Sequence, residues 1–378
     1  MDRVRVGVIG TGAISGAYLG MAKNFPVVEM AACADLNLEA AKQKATEFGI
    51  PKVCTVDELI ADPSIEIILN LTIPRAHVPV GLQAIAAGKH TYAEKPLGID
   101  RAEGRKLIDA ASAKKLYVGC APDTFLGAGI QTARKLIDDG AIGRPIGFTA
   151  FMVGRGHEHW HPSPEFYYDV GGGPMFDMGP YYLTALLNLL GPVKRVMGMA
   201  SITRPERPIV HKNKDGGPGP KFGQIMQVKT PDHVLGLMEF ANGCVGSIMQ
   251  SFAMRAGSGG ESPIVIYGTE ATLHVPDPNG FDGPVKICRF EDEKPDEFVE
   301  VPHTFVKGYG RSVGLADMAY AIRSGREMRC NGEQAFAVLD LMQGFLDSSK
   351  SGQAVVPSTK YRRPAAMPAH LPYGTLDE

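Results

Sequence analysis

Short apolar runs alternate with amphipathic segments of helical period through the first 122 residues, and this pattern constrains the fold more than any other feature. Residues 4–9, 28–34, 66–72, 90–93 and 116–120 read as strands. Residues 38–48, 56–61, 79–87 and 101–114 read as helices between them. Strands that alternate with helices predict a parallel sheet covered on both faces. After Pro122 the pattern changes. A helix at 126–138 and a strand at 146–153 are followed by strand-like runs at 193–202, 223–229, 233–239, 245–251, 264–267 and 285–289. Ala241-Asn242-Gly243 marks a hairpin among them. Successive strands of this kind predict a large, mainly antiparallel open sheet, before helices return at 312–324 and 333–348. The expected organisation is an α/β domain over 1–122 and an α+β domain over 123–378. Residues 204–222, rich in Pro, Gly and Lys, read as a long solvated loop, with an arm over the site or a neighbouring subunit as the alternative.

A chain of 378 residues is long for one core and agrees with two domains. Its formal net charge is −2 and no Lys/Arg block stands out, which argues against a nucleic-acid or membrane-surface role. The six cysteines form no C-x-x-C pair, so reduced thiols in a cytoplasmic protein are expected. No apolar run approaches the roughly 20 residues a membrane helix needs.

The first strand runs directly into Gly10-Thr11-Gly12-Ala13-Ile14-Ser15 at the start of an expected helix. Gly10 supplies a tight turn, and Gly12 lets the backbone approach a pyrophosphate at the helix N-terminus. Ser15 stands where a third glycine is usual, and a small residue still permits close packing. The second strand ends at Asp35, 20 residues after Ser15, where a carboxylate accepts from adenosine ribose hydroxyls and repels a 2′-phosphate. This Rossmann-type arrangement favours NAD over NADP.

Lys95 precedes Pro96 in Tyr92-Ala93-Glu94-Lys95-Pro96, so it is held extended at the end of a strand, where open α/β sheets bind ligands. Together with GTGAIS, ACADLN, NLTIPRAH, AEKP, GAIGRP, GGGPMFDMGPYYL and DMAYAIRSGRE, the chain resembles the glucose–fructose oxidoreductase / inositol dehydrogenase / rhizopine-catabolism (Gfo/Idh/MocA) family. The resemblance implies a cofactor crevice lined by Gly10, Gly12, Ala13, Ile14, Asp35, Thr72, Pro74, His77, Glu94 and Lys95. It places Lys95 against the substrate hydroxyl, with Asp177 and position 181 completing the site. Many members carry histidine at that position, whereas this chain has Tyr181. Tyrosine is the variant of glucose–fructose oxidoreductase and dimeric dihydrodiol dehydrogenase, and it favours substrates resembling cyclic aldoses. A homodimer or homotetramer is also implied.

Oxidising an alcohol needs a hydride acceptor and a base for the hydroxyl proton. Asp177 and Tyr181 are four apart and share a face if one helix begins there. A phenol titrates near 10, so it needs a neighbouring cation to act as base. The expected catalytic set is Tyr181 for proton transfer, Lys95 as its electrostatic partner and Asp177 as orienter, with Lys95 itself as the alternative base. His157-Glu158-His159-Trp160-His161 matches the zinc motif H-E-x-x-H, but glycines before it and prolines after it argue for a loop and against a metal. His159, Trp160 and His161 are instead candidates for contacting sugar hydroxyls. The expected activity is NAD-dependent oxidation of a cyclic aldose at its anomeric carbon to a lactone. Oxidation of a ring secondary alcohol of a polyol or glycoside is the alternative. A nucleotide-sensing regulator and glycosyl chemistry without net redox are lesser readings.

Overall fold

The computed structural model describes residues 2–255, 262–291 and 297–377. The chain opens with β1 (Val4–Ile9), α1 (Ser15–Ala22), β2 (Val28–Ala34), α2 (Leu38–Phe48), β3 (Lys52–Val53) and α3 (Val56–Ala61). It continues through β4 (Ile67–Asn70), α4 (Pro74–Ala86), β5 (His90–Ala93), α5 (Arg101–Ala113) and β6 (Val118–Cys120). The six strands form one parallel sheet in the order β3-β2-β1-β4-β5-β6. Val6, Gly7, Val8 and Ile9 of β1 are buried in succession, as a central strand covered on both faces requires. Local chemistry fixes the helix starts: Asn37 and Asp100 each accept two backbone N–H groups, and Thr55 with Glu58 makes a capping box.

Beyond β6 come α6 (Ala128–Asp138), β7 (Pro145–Val153), α7 (Gly173–Asp177), α8 (Gly179–Leu190), β8 (Val193–Ser201), β9 (Glu206–Pro208) and β10 (Ile225–Gln227). Next are β11 (His233–Phe240), β12 (Val245–Ser251), β13 (Ile264–Gly268), β14 (Ala271–Val275), β15 (Val285–Arg289), β16 (Val299–Val301), α9 (Val313–Ser324) and α10 (Gly332–Ser351). Eight of these strands form a second sheet, ordered β16-β15-β14-β13-β7-β12-β11-β8. It is antiparallel except where β7 meets β12. Every residue of α8 is buried beneath it. Ser348 and Ser349 of α10 accept the N–H groups of Gly198 and Ala200, which seats that helix on β8.

Two readings of the sequence are corrected. Helix α4 begins at Pro74, five residues before the expected start at Pro79. Pro74 takes the first-turn place where its missing N–H costs nothing, and Pro79 is carried on an exposed face of the helix. Residues 204–222 are not a plain solvated loop, because β9 inside them pairs with β10 and buries Arg207. Helix α10 packs back on the first domain: its Gln343 accepts the N–H of Arg101 at the start of α5, and its N-cap Asn331 bridges to Gly119 of β6.

Candidate active site

The order of the parallel sheet reverses between β1 and β4, and a crevice opens there at the carboxyl ends of the strands. Gly10 sits at φ +97°, and a Cβ on it would lie 2.7 Å from the Leu71 backbone, so only glycine fits. A Cβ on Gly12 would meet nothing within 4 Å, and Ala13 and Ile14 beside it are exposed. The wall is therefore open where a pyrophosphate would approach the start of α1. Asp35 does not cap α2, a role filled by Asn37. Its Oδ2 accepts the Thr11 N–H at 2.7 Å, and its Oδ1 accepts the Asn37 N–H at 2.8 Å. Burial opposes its charge, but these hydrogen bonds outweigh it and lower its pKa. Ile14, Leu36 and Ile73, exposed at the ends of β1, β2 and β4, add an apolar rim suited to an adenine ring. These features fit an adenine dinucleotide.

The other expected crevice residues divide between the rim and the layer beneath it. Thr72 donates its hydroxyl to Asn70 Oδ1 at 2.6 Å and stays partly exposed, as does Pro74 at the start of α4. His77 is 1% exposed. Its Nδ1 lies 2.7 Å from the Pro96 carbonyl and its Nε2 lies 3.1 Å from that of Thr72, so it ties two rim segments together from beneath. Burial lowers its pKa despite both carbonyls. Glu94 accepts the Tyr18 hydroxyl at 2.8 Å and the Lys95 N–H at 2.9 Å, an arrangement that fixes the backbone before the cis Lys95–Pro96 bond.

Lys95 crosses to the second domain. Its Nζ donates to Asp177 Oδ1 at 2.7 Å and to the Asp177 carbonyl at 2.8 Å. Burial opposes the ammonium, but the charge of Asp177 and then those of Tyr181 and Glu94 outweigh it and raise the pKa. Burial likewise opposes the Asp177 carboxylate, and Lys95 and His157 together hold its pKa well below the usual range. Asp177 ends α7 and Tyr181 lies in the first turn of α8, so the expected single helix is two helices meeting at Met178. Lys95 Nζ is 5.3 Å from the centre of the Tyr181 ring. The Tyr181 hydroxyl has a different cation: it accepts from Arg311 Nη2 at 2.9 Å. Burial raises the pKa of this phenol although Lys95 and Arg311 both oppose the rise.

The 157–168 loop closes the site. It starts with a 3-10 turn at His157–His159 rather than the α-helix a zinc motif requires. No group of His, Cys, Asp and Glu suited to a metal occurs among the described residues. A Cβ on Gly156, at φ +97°, would come within 2.2 Å of the Tyr168 hydroxyl. His157, weighed in the sequence only as part of the zinc motif, donates from Nε2 to Asp177 Oδ2 at 2.9 Å. Of the three expected sugar contacts, Trp160 is 56% exposed with its ring centre 5.1 Å from that of His157. His159 lies beside Glu158, and His161 accepts the Ser163 N–H. Neither of these two reaches Asp177 or Lys95. Arg311 was also missed, because a lone arginine before a helix carries no spacing signal.

The family described as an oxidoreductase family with an NAD-binding Rossmann fold matches residues 4–121, and the GFO/IDH/MocA C-terminal domain matches 130–274. The chain is also 30% identical to a levoglucosan dehydrogenase of Pseudarthrobacter phenanthrenivorans over 72% of its own length and 73% of the relative's. The chain belongs to the Gfo/Idh/MocA family. As a member it is an NAD-dependent oxidoreductase. A 1,5-anhydro-D-fructose reductase of Ensifer adhaerens is 27% identical over 71% of this chain and 74% of its own. Among solved structures, a levoglucosan dehydrogenase in complex with NADH and L-sorbose superposes with a TM-score of 0.79 at 23% identity, covering 95% of this chain and all of its own. At that identity the superposition speaks for the fold of this family member.

Proposed function

We propose that the protein oxidises a secondary ring hydroxyl of a cyclic sugar or polyol, with NAD as hydride acceptor. The observation that carries the reading is the partly buried Lys95–Asp177 pair, which joins the cofactor edge of the first sheet to the second domain. Bound NAD supplies the electrophilic nicotinamide. The protein supplies Gly10, Gly12, Ala13 and Ile14 at the pyrophosphate, Asp35 at the ribose, and Thr72 and Pro74 at the crevice rim. Lys95 offers an ammonium to the substrate hydroxyl and steadies negative charge as its proton leaves. Asp177 holds that ammonium in place, Tyr181 lies beside it, and Trp160, His159 and His161 of the 157–168 loop are candidates for contacting the other hydroxyls. The sequence pointed first to the anomeric carbon and a lactone. Two relatives favour a ring carbon instead, since levoglucosan and 1,5-anhydro-D-fructose are anhydro sugars without a free anomeric hydroxyl.

The test is NADH formation on adding NAD and a panel of aldoses, anhydro sugars, glycosides and inositols, followed by product identification. A keto sugar supports the reading. A lactone, or the acid from its hydrolysis, would move the reaction to the anomeric carbon. No NADH from any cyclic substrate would sink both. Lys95→Met should cut turnover more than tenfold and leave NAD affinity within a few-fold. The same reading includes a homodimer or homotetramer formed on the open face of the second sheet. It also includes a cytoplasmic location, which suits the six free cysteines.

A further inference from the structure

Hydroxyl oxidation needs a group that can accept a proton, and the three residues expected to handle it are poorly placed for that step. Lys95 is an ammonium clamped by Asp177, so it has no lone pair to offer. Both carboxylate oxygens of Asp177 are engaged, Oδ1 by Lys95 and Oδ2 by His157. The Tyr181 oxygen accepts from Arg311, and burial keeps the phenol protonated. Its O–H is therefore a donor to substrate.

His157 has the complementary geometry. Its Nε2 faces Asp177 Oδ2 at 2.9 Å, which fixes the tautomer with the proton on Nε2. Nδ1 then carries the lone pair, and among the described residues it makes no hydrogen bond. The ring is held on three sides, with centres 3.9 Å from Tyr167, 4.4 Å from Phe252 and 5.1 Å from Trp160. One carboxylate thus holds the anchoring ammonium on one oxygen and an imidazole on the other.

We propose that His157 is the proton acceptor of the reaction, with Asp177 fixing its tautomer and stabilising the imidazolium. This rests on the dehydrogenase reading above. In the step, the substrate O–H bond breaks and its proton passes to Nδ1. The O–H electrons become the second bond of the carbonyl as the hydride leaves the carbon for the nicotinamide of NAD. The Asp–imidazole pairing follows the logic of hydrolase triads, in which a buried carboxylate orients the ring and steadies its charge.

His157→Gln should lower kcat about 10²–10⁴-fold, the usual contribution of a general base, with KM and NAD affinity changed only a few-fold. The acidic limb of the kcat–pH profile should vanish in this variant, and added imidazole should restore part of the rate to His157→Ala. An unchanged acidic limb, or a kcat within threefold of wild type, overturns the proposal. So does Tyr181→Phe abolishing that limb while His157→Gln keeps it. Nitrogen-15 NMR of the protein without substrate gives a readout independent of turnover. It should show His157 protonated on Nε2 when neutral, with that preference weakened in Asp177→Asn. A proton on Nδ1 instead would overturn the proposal even if no sugar in the panel is oxidised, an outcome that would separately remove the dehydrogenase reading.

Discussion

The carboxylate of Asp35 accepts the Thr11 N–H and hydroxyl on one oxygen and the Asn37 N–H on the other, so it shapes the glycine turn in addition to its proposed role at the ribose. Asp35→Ala removes both functions and should weaken NAD binding by about 2–3 kcal/mol, the range for charge-assisted hydrogen bonds. Asp35→Asn keeps an oxygen for Thr11 and removes the charge. It should narrow the gap between NAD and NADP about 10–100-fold while leaving the turn intact. Calorimetric titration of both cofactors against the wild type and the two variants checks this. A wild type that prefers NADP, or a cofactor ratio unmoved in both variants, would remove Asp35 from the selectivity assignment. The position of Asp35 beside the glycine turn was legible in the sequence, because a strand end and a fixed spacing both point to it. His157 was not, because its meaning depends on Asp177, which lies 20 residues away and meets it only after the loop has folded.

That loop is held by a buried ionic clamp. Arg207 of β9 is 1% exposed and donates to Glu158 at 2.7 Å and to Asp232 at 2.6 Å. Tyr168 adds its hydroxyl to Glu158 and accepts the His157 N–H at 3.1 Å. Removing one member leaves an uncompensated buried charge, so Arg207→Met should destabilise the protein by roughly 3–5 kcal/mol. Urea unfolding measures this, and a loss below about 1 kcal/mol would show that the clamp does not hold the loop. The element that carries Arg207 lay in a stretch read as solvated loop, since β9 is three residues long and forms only by pairing with β10. Helix α2 and strands β1, β2, β12 and β15 were read correctly to the residue, because period, caps and turn residues agree there. Strands β14 and β16 were missed, and their pairing with β13 and β15 is set by the sheet rather than by local sequence.

At the scale of the whole molecule, one face of the large sheet carries a run of exposed apolar side chains among the described residues. Met197 and Met199 of β8 pair across to Leu237 and Leu235 of β11, and the apolar surface continues to Val245 of β12, which stands opposite Glu239 of β11. Tyr267 of β13 extends it beyond β7, and all six side chains are exposed, Met199 at 76%. With strands about 4.8 Å apart and a rise of about 3.4 Å per residue, eight strands of three to nine residues make a face of roughly 800 Å². That is about the area each partner contributes to a standard stable interface. A two-fold axis through the face would set apolar rows on apolar rows, and the Lys194, Arg195 and Glu239 ion-pair cluster would fall at the rim. The wild type should therefore sediment as a dimer or tetramer at micromolar concentration, with little dependence on salt because the contact is apolar. Met199→Glu combined with Leu237→Lys should shift it to monomer without altering NAD affinity, since the cofactor crevice lies in the other domain. A monomeric wild type would exclude this assembly, and an unchanged sedimentation coefficient in the double variant would move the contact to another surface.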